Sequence, residues 1–401
     1  MGAVELAISR VALNTILEHV FRANPAYVLV PFDRLPSDQQ ELLKDLTNDP
    51  DFYGVLLPQA PGSHSIKSIC RDTALLFHTM VQPGHLPRYL ERTLGDNSNQ
   101  SVAEMVLDGV LEIEHEGRFV SGSEAYSLIY ASHTAPEPQG LLSRLSQVAL
   151  EYAQALAIDD IFRLSSRLYF YNRVPLTPQW SRRLPSQDAV SEFLGISDAT
   201  NQKRLQRNWS KVEPSDPFNA WFQWVSRSNR TGSPERRHGY KLYVSPQPDV
   251  LPDVFRTVIE VLDESAAHSF KVGCDCIGLL RPDKFVLYFG DFDALQQTAQ
   301  AIASRLSGCV AQGVPFTAAI GDDGLLSWGV DPRAERGALS WQGPESWRLW
   351  ITNRLAAALV AARKSPPGNI QPWQFALERL RLENVDTVTW APTQGFGLTV
   401  A

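Results

Sequence analysis

The spacing of hydrophobic and polar positions is most regular in the part of the chain that begins near residue 239. Short stretches with a period of two, typical of strands, alternate there with longer stretches with a period of 3.6, typical of helices. The predicted elements are a strand at 240–245, a helix at 250–264, strands at 268–274 and 284–290, a helix at 293–306 and a strand at 314–320. This β-α-β-β-α-β order predicts a split βαβ core.

The segments on both sides of this core have weaker patterns. After it we expect a turn at 321–324, a strand at 325–330 and two helices, at 346–364 and 372–381. Before it we expect a helix at 141–157 and short helical pieces at 188–194 and 217–224.

In the first section, residues 1–135, the pattern predicts a helix at 5–22 and a strand at 27–31. Helical segments at 73–80, 86–94 and 101–108 follow, and then a hairpin at 110–121 with Gly117 in its turn. Three short helices closed by a hairpin are typical of a winged helix. We therefore predict an α+β protein with a winged-helix-like domain at 1–135, a linker at 133–140 and a second α+β domain at 141–401 that contains the split βαβ core.

Composition is that of a globular protein, with 44% apolar and 20% charged residues. No apolar run reaches the roughly 20 residues that cross a bilayer, so no membrane partner is expected. The N-terminus lacks the basic flank and continuous apolar segment of a secretory signal, and a cytoplasmic location is expected.

The chain has four cysteines, too few for a disulfide framework. Cys274 and Cys276 are predicted to lie on one face of a strand as small core residues. A lone Cys-x-Cys is a weak metal signal, and neither a metal nor another cofactor is expected.

Charge is unevenly distributed along the chain. Residues 1–140 contain 9 Lys/Arg and 18 Asp/Glu, whereas residues 203–241 contain 9 basic and 3 acidic residues. The acidic first section disfavours a wing that contacts DNA phosphates. We find no groove-reading motif near the basic stretch, so no nucleic-acid partner is expected.

Four basic residues carry the candidate chemistry: Lys241, Lys271, Arg281 and Lys284. Lysines on strands often belong to a solvated face, and that interpretation stays open. If the four cations converge, they suit a dianionic phosphate, and mutual repulsion lowers the pKa of one lysine enough to make it a base. Lys271 as base, with the other three as phosphate or enolate contacts, would meet the needs of a β-elimination of phosphate.

Three segments around these residues resemble a known family: 239–246 (GYKLYVSP), 269–271 (SFK) and 283–289 (DKFVLYF). They are similar to motifs of the Hop-type effector-like phosphoserine/phosphothreonine lyases of class V lanthipeptide and thioamitide biosynthesis. That family is related to phosphothreonine lyases and to the lyase domains of class III lanthipeptide synthetases. The resemblance covers about residues 140–401.

The resemblance implies a role for each matching residue. Lys271 would take the α-proton, Lys241 would activate the carbonyl or hold phosphate, Arg281 would contact phosphate, and Tyr288 would take part in the same site. Outside these motifs, four arginines are candidates to extend a phosphopeptide groove, although a surface position or an ion pair is the simpler interpretation for each: Arg167, Arg173, Arg348 and Arg354.

The sequence departs from the family at one position. Where those lyases have Lys-x-His, this chain has Lys241-Leu-Tyr243. Tyr243 is a candidate proton donor because a phenol is protonated at neutral pH. His238 or His268 are alternatives, as is phosphate departure without an acid, and an inactive site is a further alternative.

The resemblance implies a phosphorylated precursor peptide as substrate and dehydroalanine or dehydrobutyrine as product. Since we find no glycine-rich nucleotide loop or kinase catalytic-loop signature, a separate Ser/Thr kinase in a complex is the expected partner. The alternative is a non-catalytic phosphopeptide-binding or kinase-scaffolding subunit. An effector that acts on host phosphoproteins is a third hypothesis.

The first section resembles the winged-helix peptide-recognition elements of ribosomal-peptide biosynthesis. The resemblance depends on segments 72–77 (DTALLF) and 105–111 (MVLDGVL). It implies binding of a leader peptide by strand addition. A packing or oligomerisation domain is the alternative.

Overall fold

A computed structural model describes residues 15–60, 66–95, 98–129, 137–213, 220–228, 239–332, 345–364 and 370–393. Within these ranges the protein is α+β, as the sequence predicts. None of the helices in these ranges has the length and hydropathy needed to cross a membrane.

The described part of the first section contains seven strands and five α-helices. The strands are β1 (Val20–Ala23), β2 (Tyr27–Pro31), β3 (Phe52–Pro58), β4 (Lys67–Cys70), β5 (Gly84–His85), β6 (Leu111–His115) and β7 (Arg118–Val120). The helices are α1 (Ser37–Leu43), α2 (Arg71–Thr79), α3 (Tyr89–Leu94), α4 (Ser98–Leu107) and α5 (Tyr126–Ile129). Short 3₁₀ helices lie at Ile16–Glu18, Phe32–Arg34, Lys44–Asn48 and Gly122–Ala125.

These strands form two small antiparallel sheets, with orders β5-β1-β6-β7 and β2-β3-β4. The predicted hairpin is present, and Gly117 has the positive φ of 76° that its turn requires. The predicted helix at 5–22 is wrong in its described part, because residues 20–23 form strand β1, whose alternate residues Phe21 and Ala23 are buried. Assignment of this section to a winged helix remains a prediction.

The middle section is mostly helical. Its helices are α6 (Gly140–Ala155), α7 (Ile161–Tyr169), α8 (Pro178–Arg183), α9 (Gln187–Phe193) and α10 (Ala199–Asn208), followed by strands β8 (Trp209–Lys211) and β9 (Trp221–Ser226). The predicted helix at 217–224 is wrong where the structure describes it. Residues 221–226 form a strand in which half-buried and buried positions alternate, so Phe222 and Trp224 lie on its buried face.

The last section contains the predicted core. Its elements are β10 (Tyr240–Val244), a 3₁₀ helix (Pro248–Val250), α11 (Leu251–Leu262), β11 (Ser269–Gly273), α12 (Cys276–Leu280), β12 (Phe285–Phe289), α13 (Phe292–Arg305), β13 (Ala318–Ile320), β14 (Leu326–Val330), α14 (Trp347–Lys364), α15 (Pro372–Leu382), β15 (Val385–Asp386) and β16 (Ala391–Pro392).

Strands β8 to β14 form one seven-stranded antiparallel sheet with the order β13-β14-β10-β12-β11-β9-β8. The order β14-β10-β12-β11 at its centre is that of a split βαβ unit, because β12 lies between β10 and β11. The predicted strand at 314–320 does not take the fourth position. Residues 318–320 form the edge strand β13, and β14 pairs with β10 instead.

The two faces of this sheet have different surroundings. One face packs against α11 and α13 through a core that includes Leu242, Phe270 and Phe285. Because side chains alternate along a strand, Tyr243 and Val286 lie on the other face, in a smaller cluster with Val314. Helices α7 and α14 pack against each other and contribute side chains to that second face.

A second large core joins the first section to the C-terminal helices. It contains Phe21 and Val106 of the first section together with Leu164 of α7 and Leu355 of α14. The limits 1–135 and 141–401 remain a prediction.

The cysteine prediction is wrong in its geometry. Cys274 follows β11 and is buried, whereas Cys276 begins helix α12 and is half-buried. Asp275 between them caps that helix through Oδ1, which accepts from Gly278 N at 2.5 Å, so the chain turns before a strand could place both thiols on one face. Within the described ranges, no group of three or more His, Cys, Asp or Glu side chains is placed to hold a metal ion.

Candidate active site

The second face of the large sheet brings together the residues that the sequence singled out. Lys241 of β10 is opposite Tyr288 of β12, and Lys271 of β11 is opposite Val286. The ammonium groups of both lysines lie near the same ring, 5.4 Å and 5.7 Å from the centroid of Tyr288. The two lysines therefore flank Tyr288 on a single surface, as alternation along the strands predicts.

Lys271 is held by aromatic side chains. Its Nζ lies 4.2 Å from the ring centroid of Trp221, a residue of the neighbouring strand β9. Burial is the largest cause that lowers the pKa of Lys271 to about 8, and the positive charges of Lys241 and, to a smaller extent, Arg281 act in the same direction. Carboxylates of Asp283 and Asp331 oppose this shift. The amine is therefore partly neutral near physiological pH.

Lys241 is fixed by a carboxylate from the adjacent strand end. Its Nζ lies 2.6 Å from Asp331 Oδ2, and Oδ1 of Asp331 accepts from Trp347 N at 2.9 Å. Gly329 is opposite Lys241 in β14, and a Cβ on this glycine would come within 2.4 Å of the Trp347 ring. A glycine at this position allows the first turn of α14 to approach the sheet and hold Asp331.

Arg281 adjoins Lys271 at the other end of the surface, with its Cζ 5.0 Å from the Trp221 ring centroid. Its Nε and Nη2 donate to the two carboxylate oxygens of Asp283, both at 2.9 Å, and Nη2 also donates to Tyr169 Oη at 3.1 Å. Neither hydrogen of Nη1 has a partner among the described residues. Arg281 therefore retains donors for an anion.

Asp283 forms ion pairs with both Arg281 and Arg348 beneath this surface. Arg348 Nη1 lies 2.8 Å from Asp283 Oδ2, in an ion-pair contact without the geometry of a hydrogen bond, and its Nη2 donates to Tyr169 O at 2.6 Å. Burial alone would raise the pKa of Asp283, but Arg348 and Arg281 hold it well below its usual value. Since Arg348 is 1% exposed, it supports Asp283 from below the surface.

Lys284 makes its contacts inside the protein. It is fully buried, and its Nζ donates to Pro246 O at 2.8 Å and to Gln312 Oε1 at 2.5 Å. Burial lowers the pKa of Lys284 to about 7. Lys284 thus holds two loops together inside the protein. Of the four cations expected to converge, three do so: Lys241, Lys271 and Arg281.

Arg354 is placed away from the other candidates. Its Nε pairs with Glu383 and its Nη1 lies 3.4 Å from Glu345 Oε2, while its Cζ lies 3.9 Å from the Trp350 ring centroid. Arg354 therefore forms structural ion pairs, which is the simpler of the two interpretations of this residue.

Tyr243 lies on the site face, two residues from Lys241, and is 3% exposed. Burial raises the pKa of its phenol well above the ordinary value, so the group stays protonated at neutral pH. His268 is half-buried, and its Nδ1 lies 3.1 Å from Ser269 Oγ, while its ring centroid is 6.1 Å from that of Tyr288. His238 is outside the described residues.

The surface as a whole is positive. Lys241, Lys271, Arg281 and Arg348 oppose two carboxylates, Asp283 and Asp331, which leaves a charge of about +2, or about +1 when Lys271 is neutral. A positive, partly desolvated surface suits a dianionic group. A neutral amine beside a fixed ammonium can remove a proton while the ammonium stabilises the resulting negative charge.

Sequence reasoning missed four residues of this site: Tyr169, Trp221, Asp283 and Asp331. For Trp221 the usable signal is composition, because aromatic and β-branched residues such as those at 221–225 are enriched in strands, whereas the sequence analysis assigns 217–224 to a helix. Trp224 of the same strand lies in the core, at 3% exposure. No local signal connects Asp331 to Lys241, because the two are separated by ninety residues and meet only through strand pairing.

Comparisons with known proteins give distant structural matches. No protein-family model and no curated protein matches this sequence. Among solved structures, an effector protein from Pseudomonas syringae pv. syringae strain 61 matches at a TM-score of 0.39 with 16% identity, over 64% of this chain and 99% of that one. An effector protein from Pseudomonas syringae pv. tomato strain DC3000 matches at 0.37 with 14% identity, over 63% and 97% of the two chains. A phosphothreonine lyase, an effector protein from Salmonella, matches at 0.27 with 14% identity, over 52% and 98%.

Proposed function

We propose that this protein is a lyase that β-eliminates phosphate from phosphoserine or phosphothreonine in a ribosomally made precursor peptide. The products are dehydroalanine or dehydrobutyrine, as in lanthipeptide or thioamitide maturation. The observation that carries the proposal is the position of Lys271, whose half-buried amine shares the Tyr288 and Trp221 rings with Lys241 and Arg281.

The lowered pKa of Lys271 gives the site a usable base. With a pKa of about 8, about one amine in ten is unprotonated at pH 7. For a lysine at the ordinary value of 10.5 the fraction is about one in three thousand. Burial beside Lys241 thus raises the concentration of the active base by more than a hundredfold.

The reaction breaks the Cα–H and Cβ–O bonds of the phosphorylated residue and involves two proton transfers. Lys271 takes the α-proton and becomes an ammonium, and Lys241 stabilises the negative charge on the adjacent carbonyl oxygen. The electron pair from the α-carbon forms the carbon–carbon double bond, while the Cβ–O bond breaks and its electrons leave with the phosphate. Tyr243 donates a proton to the departing oxygen and regains one from solvent.

Arg281 binds the phosphate before and after this step. Its Nη1 hydrogens are the donors left over from its pairing with Asp283, and a guanidinium matches phosphate oxygens in geometry. Asp283 fixes the guanidinium plane, and Arg348 compensates the charge of Asp283.

The decisive experiment incubates purified protein with a phosphorylated Ser/Thr peptide and follows mass. Elimination removes the mass of one phosphoric acid per phosphorylated residue, and the new double bond adds a thiol. Lys271→Ala should abolish the mass loss while the peptide still binds. Intact phosphopeptide across the pH range, with and without a partner kinase, would refute the proposal.

A second candidate function is a non-catalytic phosphopeptide-binding or kinase-scaffolding subunit. The observation that favours it is the burial of Tyr243, which is 3% exposed where the resembled motif has histidine. In that case Lys271→Ala alters affinity alone, and neither the wild-type protein nor the variant yields a dehydroamino acid.

A further inference from the structure

A groove of about 530 Å³ lies along α7 and the turn that follows it, beside the candidate active site. Its lining includes three arginines, Arg163, Arg167 and Arg173, and four aromatic residues, Tyr152, Phe162, Phe170 and Tyr171. None of these residues takes part in the elimination proposed above.

The three arginines are exposed. None of them forms an ion pair with a carboxylate in the part of the chain that the structure describes. Asp160, at the start of the same helix, is used as its cap: Oδ1 accepts from the backbone N of Arg163 at 2.8 Å. The groove therefore carries positive charge that the described residues do not neutralise.

Aromatic side chains accompany this charge. Phe162 is 77% exposed and Phe170 is 40% exposed, and the half-exposed Tyr152 also lines the groove. Large apolar side chains that protrude together among charged ones are typical of binding surfaces. Arginines beside them suit a peptide that carries both carboxylates and apolar groups.

The groove is continuous with the candidate active site through Phe170. The Cζ of Arg281 lies 5.2 Å from the Phe170 ring centroid, and the preceding residue, Tyr169, contacts Arg281 directly. A peptide whose phosphate is bound by Arg281 thus has the groove next to it.

The turn that forms the floor of the groove is firmly held. Asn172 has a φ of 65°, and its Nδ2 donates to Gln312 O at 2.7 Å and to Gly313 O at 3.0 Å. Its carbonyl accepts from Gln312 Nε2 at 2.5 Å. A preformed groove loses less conformational entropy when a ligand binds.

We propose that this groove binds an acidic segment of the substrate peptide that flanks the phosphorylated residue. The inference rests on the proposed function and deepens it, because it assigns a sequence preference to the substrate. Asp or Glu side chains in that segment pair with Arg163, Arg167 and Arg173, and apolar side chains pack against Phe162 and Phe170.

The test uses two synthetic phosphothreonine peptides of equal length, one with Asp/Glu and one with Asn/Gln around the phosphothreonine. Affinity is measured by fluorescence anisotropy at low and high salt on the Lys271→Ala background, and elimination is measured by mass on the Lys271 enzyme. Because exposed charge pairs are weak individually and screened by salt, the acidic peptide should bind about tenfold more tightly at low salt.

The variant R163Q/R167Q/R173Q should lose this preference and bind both peptides alike. The matched control is R182Q/R207Q/R305Q, which removes three exposed arginines from α8, α10 and α13, helices with apolar residues packed against the core on the other face of the sheet. The control should retain the preference. Thermal melting of both variants verifies that each is folded.

Three results would overturn the inference: equal affinity of the Lys271→Ala protein with an intact groove for the two peptides, no binding of either, or equal losses in the groove and control variants. A fourth is tighter, groove-dependent binding of a single-stranded oligonucleotide, which would assign the charge to nucleic acid. The experiment distinguishes failure of this inference from failure of the proposed function. Groove-dependent peptide binding without elimination would support the groove proposal and refute the lyase proposal. Elimination without any preference for the acidic peptide would support the lyase proposal and refute the groove proposal.

Discussion

Asp331 and Lys241 form an ion pair in the candidate active site, with 2.6 Å between Oδ2 and Nζ. The lysine side chain is only 8% exposed, so its charge is compensated by this carboxylate inside the protein. The pair fixes one ammonium next to the Tyr288 ring, on whose other side lies the amine of Lys271. The electrostatic environment of Lys271 therefore depends on the carboxylate of Asp331, a residue far from it in the sequence.

The first prediction concerns the pH dependence of elimination. Burial, followed by the charge of Lys241, lowers the pKa of Lys271 to about 8, and only the neutral amine acts as a base. The rate should rise about tenfold per pH unit below this value and level off above it. Initial rates between about pH 6.5 and 9.5, where the phosphate is already a dianion, measure the midpoint. A rate that falls with increasing pH over this range would contradict Lys271 as base.

A second prediction follows from the charge of Asp331. This carboxylate raises the pKa of Lys271, so Asp331→Asn should shift the midpoint of the rate profile to lower pH. The asparagine oxygen still accepts from Trp347 N, which keeps the helix start in place. The maximal rate should fall, because Lys241 loses its anchor. Asp293→Asn, an exposed change on α13, serves as the control and should leave the midpoint where it is.

The third prediction tests the proton donor. Tyr243→Phe keeps the ring that packs with Val286 and Val314 but removes the hydroxyl. Loss of a general acid costs about a hundredfold or more, so kcat should fall by that order while the midpoint stays near pH 8. Unchanged kcat would reassign the role, and His268→Ala would then be the variant to compare.

The fourth prediction concerns stability. Burial lowers the pKa of Lys284 to about 7, so between pH 7 and its unfolded value of 10.5 the unfolded chain binds more protons than the folded one. Stability therefore rises with pH in this window. Lys284→Met should remove this contribution and cost about 1–3 kcal/mol, because Pro246 O and Gln312 Oε1 lose their donor.

Urea unfolding at several values between about pH 6 and 9.5 measures this difference. The gap in unfolding free energy between the wild-type protein and Lys284→Met should widen as the pH rises. Lys203→Met, an exposed lysine on α10, is the control and should follow the wild-type curve. A gap that stays constant over this range would show that Lys284 remains charged in the folded protein.

The sequence by itself determined the order of elements in the core and the shared face of its key residues. Alternation places Lys241 and Tyr243 on one side of their strand, and the turn sequences bound the strands 240–244, 269–273 and 285–289 closely. These features are local, because the period of a strand depends on residues two apart.

The tertiary structure alone decided which charges meet. Asp331 reaches Lys241 only because β14, rather than the strand at 318–320, pairs with β10. Alternation from Tyr288 and Val286 placed Lys284 on the site face, but two loops supply acceptors that hold it inside the protein. Partners so distant along the chain are selected by strand pairing and packing, and no local pattern of residues specifies them.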